Sequence, residues 1–268
     1  MTHRVRIAAG ALALVASAAG AQQQVPDSGA GWLRYPAISP DGRTIVFTYK
    51  GDLYKVPATG GTASALTVHA AHDFMPAWSN DGRHIAFASD RHGNFDVFVI
   101  PAEGGAARRL TVHSAHEYPY SFTADDRNVL FGSARQDAAS NRQYPSAAQP
   151  ELWQVAAAGG RPLQLLTTPA ENARASRDGR FLVYEDRKGG ENQWRKHHVS
   201  AVARDIWVHD TRGGAHRKIT SFAGEDRNPI LSEDGRTIWY LSEESGTLNV
   251  HRAPVEGGAS QRDRKSVV

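Results

Sequence analysis

From Trp32 onward the chain alternates apolar and polar residues in short runs separated by turn-forming pairs. Ile45/Phe47, Ile85/Phe87 and Val129/Phe131 are apolar positions two apart, the period of a pleated strand with one covered face. No stretch carries an amphipathic helical period. Asp-Gly at 41–42, 81–82, 178–179 and 234–235 precedes such runs and predicts tight hairpins, because Gly accepts positive φ and Asp bonds its own backbone. The third copy has Asp125-Asp126 there, from which a looser turn is expected. A further run carries an aromatic or bulky pair: Leu53-Tyr54, Val97-Phe98, Leu152-Trp153, Ile206-Trp207. Gly-Gly at 60–61, 104–105, 159–160, 213–214 and 257–258 predicts a second hairpin. A last run ends in Leu-Thr or Ile-Thr at 66–67, 110–111, 166–167 and 219–220.

One four-stranded unit is therefore written five times, opening at Pro36, Pro76, Pro119, Ala173 and Pro229. The first hairpin turns, with Asp at 41, 81, 125, 178 and 234, recur every 40 to 56 residues, near the ~40–45 of a propeller blade. The longer spacings fall where polar segments intervene, at Gln136–Pro150 and Lys188–Arg204. A lone four-stranded sheet cannot cover both of its faces, so such units stack around an axis. The fold expected is an all-β propeller over 31–262, with five repeats visible. The fifth stops after Gly258 without a Leu-Thr, so its outermost strand is expected to be missing. Trp32-Leu33-Arg34-Tyr35 is a candidate outer strand that would help to seal the ring.

Composition narrows the class. With 268 residues, 40% hydrophobic and 22% charged, the chain is globular rather than disordered. A net charge of +3 with scattered Lys and Arg lacks the basic stripe of a nucleic-acid binder. No cysteine is present, which excludes disulfides, zinc–thiolate sites and thiol catalysis. At the N-terminus, basic residues through Arg6 precede an uncharged run from Ile7 to Ala19, then Ala19-Gly20-Ala21. This is the layout of a cleaved secretory signal, so 1–21 is assigned as signal peptide, 22–30 as lead-in, and the location as periplasmic or secreted. The tail 263–268 continues no part of the pattern; it resembles the in-frame translation of a sequencing adapter and is expected to be non-native.

Catalytic chemistry is not written beside the repeat. No Gly-x-Ser-x-Gly occurs, and Ser39, Ser79, Ser176 and Ser232 are turn residues of the unit, so no serine qualifies as a nucleophile. TVHAAHDF (67–74) and TVHSAHEY (111–118) bring two His and a carboxylate together twice. Such residues ligate metals, but the spacing repeats because the blade repeats. They are read as ties between neighbouring blades; no metal and no cofactor is assigned. Arg195, Lys196, His197 and His198, with Trp194 and Asp205 nearby, lie in the longest insertion. Cations on a long loop suit a peptide carboxylate, whereas a capping loop with Trp194 packed down is the plainer reading. The runs Glu185–Lys188 and Glu225–Arg227 read as solvated turns with local ion pairs.

The unit P-x-W/I-S-x-D-G-R…I-x-F…D-x-aromatic…G-G…L-T resembles the PD40, or TolB-like, propeller repeat. FASDRHGNFDVFV (87–99), YEDRKGGENQWRKHHVSAVARDIWVHD (184–210) and GEDRNP (224–229) are similar, more narrowly, to the N-terminal propeller of exported bacterial tricorn-like peptidases of the S41 family. The resemblance implies a propeller that admits or retains unfolded peptides for a PDZ domain and a serine peptidase domain carried by the rest of its polypeptide. This chain holds neither and is expected to cleave nothing by itself. A TolB-type interaction module is the alternative, although the small α/β domain usual before such propellers does not fit between Ala21 and Gly31. The propeller of a prolyl-oligopeptidase-like hydrolase is a third. Self-association is left open.

Overall fold

The computed structural model describes residues 31–135, 149–188 and 199–263. The signal and lead-in segments, most of both insertions and residues 264–268 lie outside the described residues. Within Trp32–Val268, one compact unit, every described regular element is a β-strand. Blade 1 comprises β1 (Arg34–Ile38), β2 (Thr44–Tyr49), β3 (Asp52–Pro57) and β4 (Ser64–Ala65). Blade 2 comprises β5 (Asp73–Trp78), β6 (His84–Ser89), β7 (Asp96–Pro101) and β8 (Arg108–Arg109). Blade 3 has β9 (Glu117–Phe122), β10 (Asn128–Ser133), β11 (Glu151–Ala156) and the first part of β12 (Leu163–Ala175). The rest of β12, β13 (Phe181–Asp186), β14 (Ile206–Asp210) and β15 (His216–Lys218) form blade 4. Blade 5 is β16 (Asp226–Leu231), β17 (Thr237–Ser242), β18 (Asn249–Pro254) and β19 (Gln261–Arg262).

Each blade is an antiparallel meander. Blades 3 and 4 share one seven-stranded sheet because β12 leaves β11 at Pro169 and joins β13 at Ala170. The cause is a short link. Leu66 to Asp73 and Leu110 to Glu117 each leave room for a turn, whereas Leu166 to Ala170 does not, so the chain runs straight through.

The repeat residues act as expected. In every blade the Ser or Thr at 39, 79, 123, 176 or 232 gives its hydroxyl to the Asp two residues on, at 2.6–2.7 Å. That Asp also accepts the next-but-one backbone N–H, and these bonds hold its pKa below the ordinary carboxylate value. The Thr of Leu-Thr or Ile-Thr accepts a buried third-strand N–H: Leu53 to Thr67 at 2.9 Å, Val97 to Thr111 at 2.9 Å, Ile206 to Thr220 at 3.1 Å.

Four apolar clusters lie between successive blades. Val46, Leu53 and Phe87 join blades 1 and 2; Val97, Val129 and Phe131 join 2 and 3. Leu130, Leu152 and Tyr184 join 3 and 4, and Ile206, Val208 and Ile238 join 4 and 5. Burying each large apolar side chain contributes roughly 1.5–3 kcal/mol. The first strands β1, β5, β9, β12 and β16 neighbour one another in that order, which makes them the inner strands. Among the described residues no apolar cluster joins the fifth blade to the first.

Four expectations are corrected. The fifth blade has its outermost strand: β19 pairs with β18 at His251↔Arg262 and Arg252↔Gln261. The Asp263 N–H donates to Val250 O at 2.8 Å, the bond that Leu66, Leu110 and Ile219 make in their blades. Backbone pairing needs no Leu-Thr. Second, Trp32–Tyr35 is no outer strand; it leads into β1, the inner strand of blade 1, with Arg34 opposite Thr48. Third, the Asp125-Asp126 turn is as tight as the others. Asp126 takes φ +57°, which Asp tolerates better than most residues, and its N–H bonds Thr123 O at 2.9 Å. Its carboxylate accepts Asn80 N, Asn80 Nδ2 and Asp81 N at 2.7–2.9 Å, tying this turn to that of blade 2.

Fourth, Pro119 is not the counterpart of Pro36, Pro76 and Pro229. Counted back from the turn Ser or Thr, it falls one place earlier, where the other blades have Tyr35, Met75, Asn172 and Asn228, all with φ between +51° and +55°. Proline cannot adopt that φ. Blade 3 keeps the bulge at the same place, with Pro119 and Tyr120 opposite Phe131 as Met75 and Pro76 are opposite Phe87, but without the positive φ, and Tyr120 occupies the usual proline place.

Candidate functional site

The meander places the links from strand four to the next strand one, and from strand two to strand three, on one edge of every blade. Both long insertions open from that edge. Their bases touch, since Gln149 Nε2 donates to Lys188 O at 3.1 Å. Arg195, Lys196, His197 and His198 lie outside the described residues, so their side chains are not placed; the flanking positions Lys188 and Val199 belong to this edge.

On blades 1 to 3 the edge carries a continuous set of partly exposed rings. Phe74 sits edge-on to Phe95 at 4.8 Å between centroids, to Tyr35 at 5.3 Å and to His72 at 5.2 Å. Tyr118 meets Phe74 at 5.8 Å and Phe95 at 5.9 Å, and His116 meets Phe95 at 5.4 Å. The rings come from inner-strand starts, inter-blade links and, for Phe95, the β6–β7 link, all of which the repeat places on this edge.

The histidine-rich links do local work. Nδ1 of His69 accepts Ala71 N–H at 2.9 Å, and His113 does the same with Ala115 at 3.0 Å. The adjacent carboxylates turn inward. Asp73 pairs with Arg91 at 2.6 Å, and Glu117 with Arg135 at 2.5 Å, both carboxylates fully buried. Each Arg lies over two rings of its own blade: Arg91 over Phe87 and Phe98, Arg135 over Phe131 and Trp153. Among the described residues no group of three or more His, Asp or Glu has metal-binding geometry.

On blades 4 and 5 the edge becomes ionic. Arg204 reaches Glu225 at 2.6 Å, Glu185 at 3.4 Å and Glu171 at 3.5 Å, and Arg187 reaches Glu171 at 2.6 Å. Glu185 is buried; it accepts Asn172 Nδ2 at 3.0 Å and the Asn228 N–H across the blade junction. Burial pushes its pKa up to about 7 against the pull of Arg204. Burial raises the pKa of Tyr118, which stands on the same edge at the start of β9. A hollow of about 230 Å³ beside the second insertion is walled by Pro169, Tyr184, Trp207, Lys188 and His216.

The reading of Glu185–Lys188 and Glu225–Arg227 as solvated turns was half right. Ion pairs form, but Glu185 is 3% and Asp226 0% exposed. Asp226 stands where blades 2 and 3 have Asp73 and Glu117, but the residue in the place of Arg91 and Arg135 is Glu244. No cation among the described residues pairs with Asp226; the Ser242 and Thr220 hydroxyls lie near it, yet neither carboxylate oxygen is in hydrogen-bond geometry. Burial pushes its pKa up to about 7. Superposing the repeats by residue would have exposed this acid without its arginine.

The fold recurs in solved structures. A TolB-type protein from Agrobacterium tumefaciens is 18% identical with TM-score 0.69, over 86% of this chain and 79% of that one. TolB from Acinetobacter baumannii is 18% identical with TM-score 0.63, over 84% and 52%. The tricorn protease is 20% identical with TM-score 0.70, over 86% and 22%. The chain thus corresponds to about half the length of the second and under a quarter of the third. No curated protein matches the sequence. Residues 30–202 match the family described as the tricorn protease N-terminal beta propeller domain. With its five four-stranded blades and this match, the chain belongs to the tricorn protease N-terminal β-propeller family.

Proposed function

We propose that this propeller holds extended or unfolded peptide segments on its insertion-bearing edge and serves a peptidase domain of the S41 type in the rest of its polypeptide. The observation that carries the reading is the continuous ring surface of Tyr35, Phe74, Phe95 and Tyr118, on the same edge as the Arg187–Glu171–Arg204 network. Aromatic faces grip side chains non-specifically, and neighbouring charges orient a backbone. The sequence between Lys188 and Val199, both of this edge, carries Arg195, Lys196, His197 and His198. Export to the periplasm follows from the N-terminal segment.

Fluorescence anisotropy with labelled unstructured peptides of about ten residues tests this reading. Phe74→Ser with Phe95→Ser is expected to weaken binding about tenfold, since each ring contact contributes ~0.5–1.5 kcal/mol. Replacing 195–198 by Gly and Ser is expected to weaken acidic peptides more than neutral ones. Peptide affinity unchanged by both variants would overturn the proposal. A second reading, a TolB-type module for protein interactions in the envelope, is favoured by the Agrobacterium likeness. It predicts capture of one folded partner rather than of unstructured peptides.

A further inference from the structure

Buried arginines in this chain come with carboxylates. Arg91, Arg109, Arg135, Arg187 and Arg204 each meet an acid at 2.5–2.6 Å. Arg174, on the inner strand β12, does not. It is partly buried, its Nε is enclosed without a hydrogen-bond partner, and no carboxylate among the described residues pairs with it. Desolvation lowers its pKa with no acid to offset it.

The fold does not demand a cation at this place. Strand pairing sets Arg174 opposite Val183, as Ala37 is opposite Val46, Ala77 opposite Ala86, Ser121 opposite Leu130 and Ile230 opposite Trp239. Four blades thus fill the position with a small or apolar neutral residue, and one fills it with a partly buried guanidinium whose Nε is enclosed. A charge taken out of water without a partner is costly, so a group that supplies the opposite charge is strongly favoured there. Arg227, on the neighbouring inner strand β16, is in the same state: its Nε is enclosed, and no carboxylate among the described residues pairs with it. Two guanidiniums without a carboxylate partner among the described residues therefore lie on neighbouring inner strands, Arg227 three places nearer the insertion-bearing edge than Ile230, the counterpart of Arg174.

We infer that the inner strands of blades 4 and 5 form an oxyanion receptor, centred on Arg174, that takes a carboxylate or phosphate group. The guanidinium fork matches the two oxygens of either group. The inference is independent of peptide binding at the edge, because a free anion or a group on a larger ligand satisfies it equally.

The test is thermal denaturation of the whole chain in sodium phosphate, acetate or chloride at equal ionic strength, followed by titration calorimetry. Phosphate or acetate is expected to raise the wild-type melting temperature by a few degrees over chloride, as selective binding to the native state requires. In Arg174→Met that increment is expected to vanish and the dissociation constant to rise at least about tenfold; Arg174→Lys is expected to keep part of it, and Arg227→Met to reduce it. Arg174→Met changes the stability of the fold by itself, so the readout is the difference between anions within each variant. A further arm compares one peptide with a free and an amidated C-terminus. Preference for the free form names a peptide carboxylate as the source, and a response to phosphate alone names a free anion. A wild-type increment of zero, or one equal in Arg174→Met, overturns the inference.

Discussion

Tyr120 exists at the cost of a side chain at Gly132. Gly132 does not need its glycine for backbone reasons, since its φ is not positive. A Cβ built there would lie 1.9 Å from Tyr120 Oη, 2.5 Å from Cζ and 2.8 Å from Cε2. Tyr120 is buried among Leu130, Leu152, Ala173 and Tyr184 and cannot swing into solvent. Gly132→Ala must therefore displace a packed ring, and overpacking of this kind costs typically about 1–3 kcal/mol. Three atoms inside 3 Å put the expectation at the upper end. For a domain of this size ~3 kcal/mol lowers the melting temperature by roughly 6–12 °C. Calorimetry or urea denaturation reads the effect, and a double-mutant cycle assigns its cause. Tyr120→Leu alone is expected to cost about 2–4 kcal/mol. In that background Gly132→Ala is expected to cost under about 0.5 kcal/mol. Equal costs in both backgrounds, or a tolerated Gly132→Ala in the wild type, would refute the reasoning.

Three more outcomes are expected. Asp126→Gly keeps the left-handed turn but loses the bonds to Asn80 and Asp81, whereas Asp126→Ala also forces an L-residue into positive φ; Ala is expected to be the less stable by about 1 kcal/mol in urea. Thr111→Val leaves the buried Val97 N–H without its 2.9 Å acceptor and is expected to cost about 1–3 kcal/mol, with faster amide exchange at Val97. Glu185 and Asp226 keep their protons up to about pH 7 when folded, against ordinary values of 4.5 and 3.8. The unfolded chain releases them earlier, so stability is expected to fall as pH rises from about 4 to 7 and then to level off. Urea midpoints across that range check the slope, and Asp226→Asn is expected to flatten it.

The strands, turns and blade order were legible because each rests on a local rule repeated five times. Ser-x-Asp-Gly closes the first turn, Gly-Gly the second, and alternation sets the faces. Exceptions were misread where one residue does the work of another. Asp126 replaces glycine and earns its place through a side-chain contact to the next blade, which no local pattern encodes. Pro119 looks like the proline of the repeat but stands four residues before its turn residue Thr123 instead of three, and the positive φ that forbids a proline there shows only in the backbone. Asp226 and Arg174 were hidden for a related reason: burial and the identity of a missing partner are properties of neighbours. The ring surface of the edge was likewise invisible, since Tyr35, Phe74, Phe95 and Tyr118 come from three blades.

Among the described residues each apolar cluster is built on two successive blades, and only Met75 of blade 2 packs beyond its neighbour, against the cluster of blades 3 and 4. Stability is then nearly a sum of four couplings in a row, as in a zipper whose teeth bind only adjacent teeth. Blade 3 has a covered neighbour on each side and two blades beyond them, so it is the last to let go. Loss of one junction splits the row without unmaking the blades beyond it, and a ligand that bridges two blades tightens that junction alone.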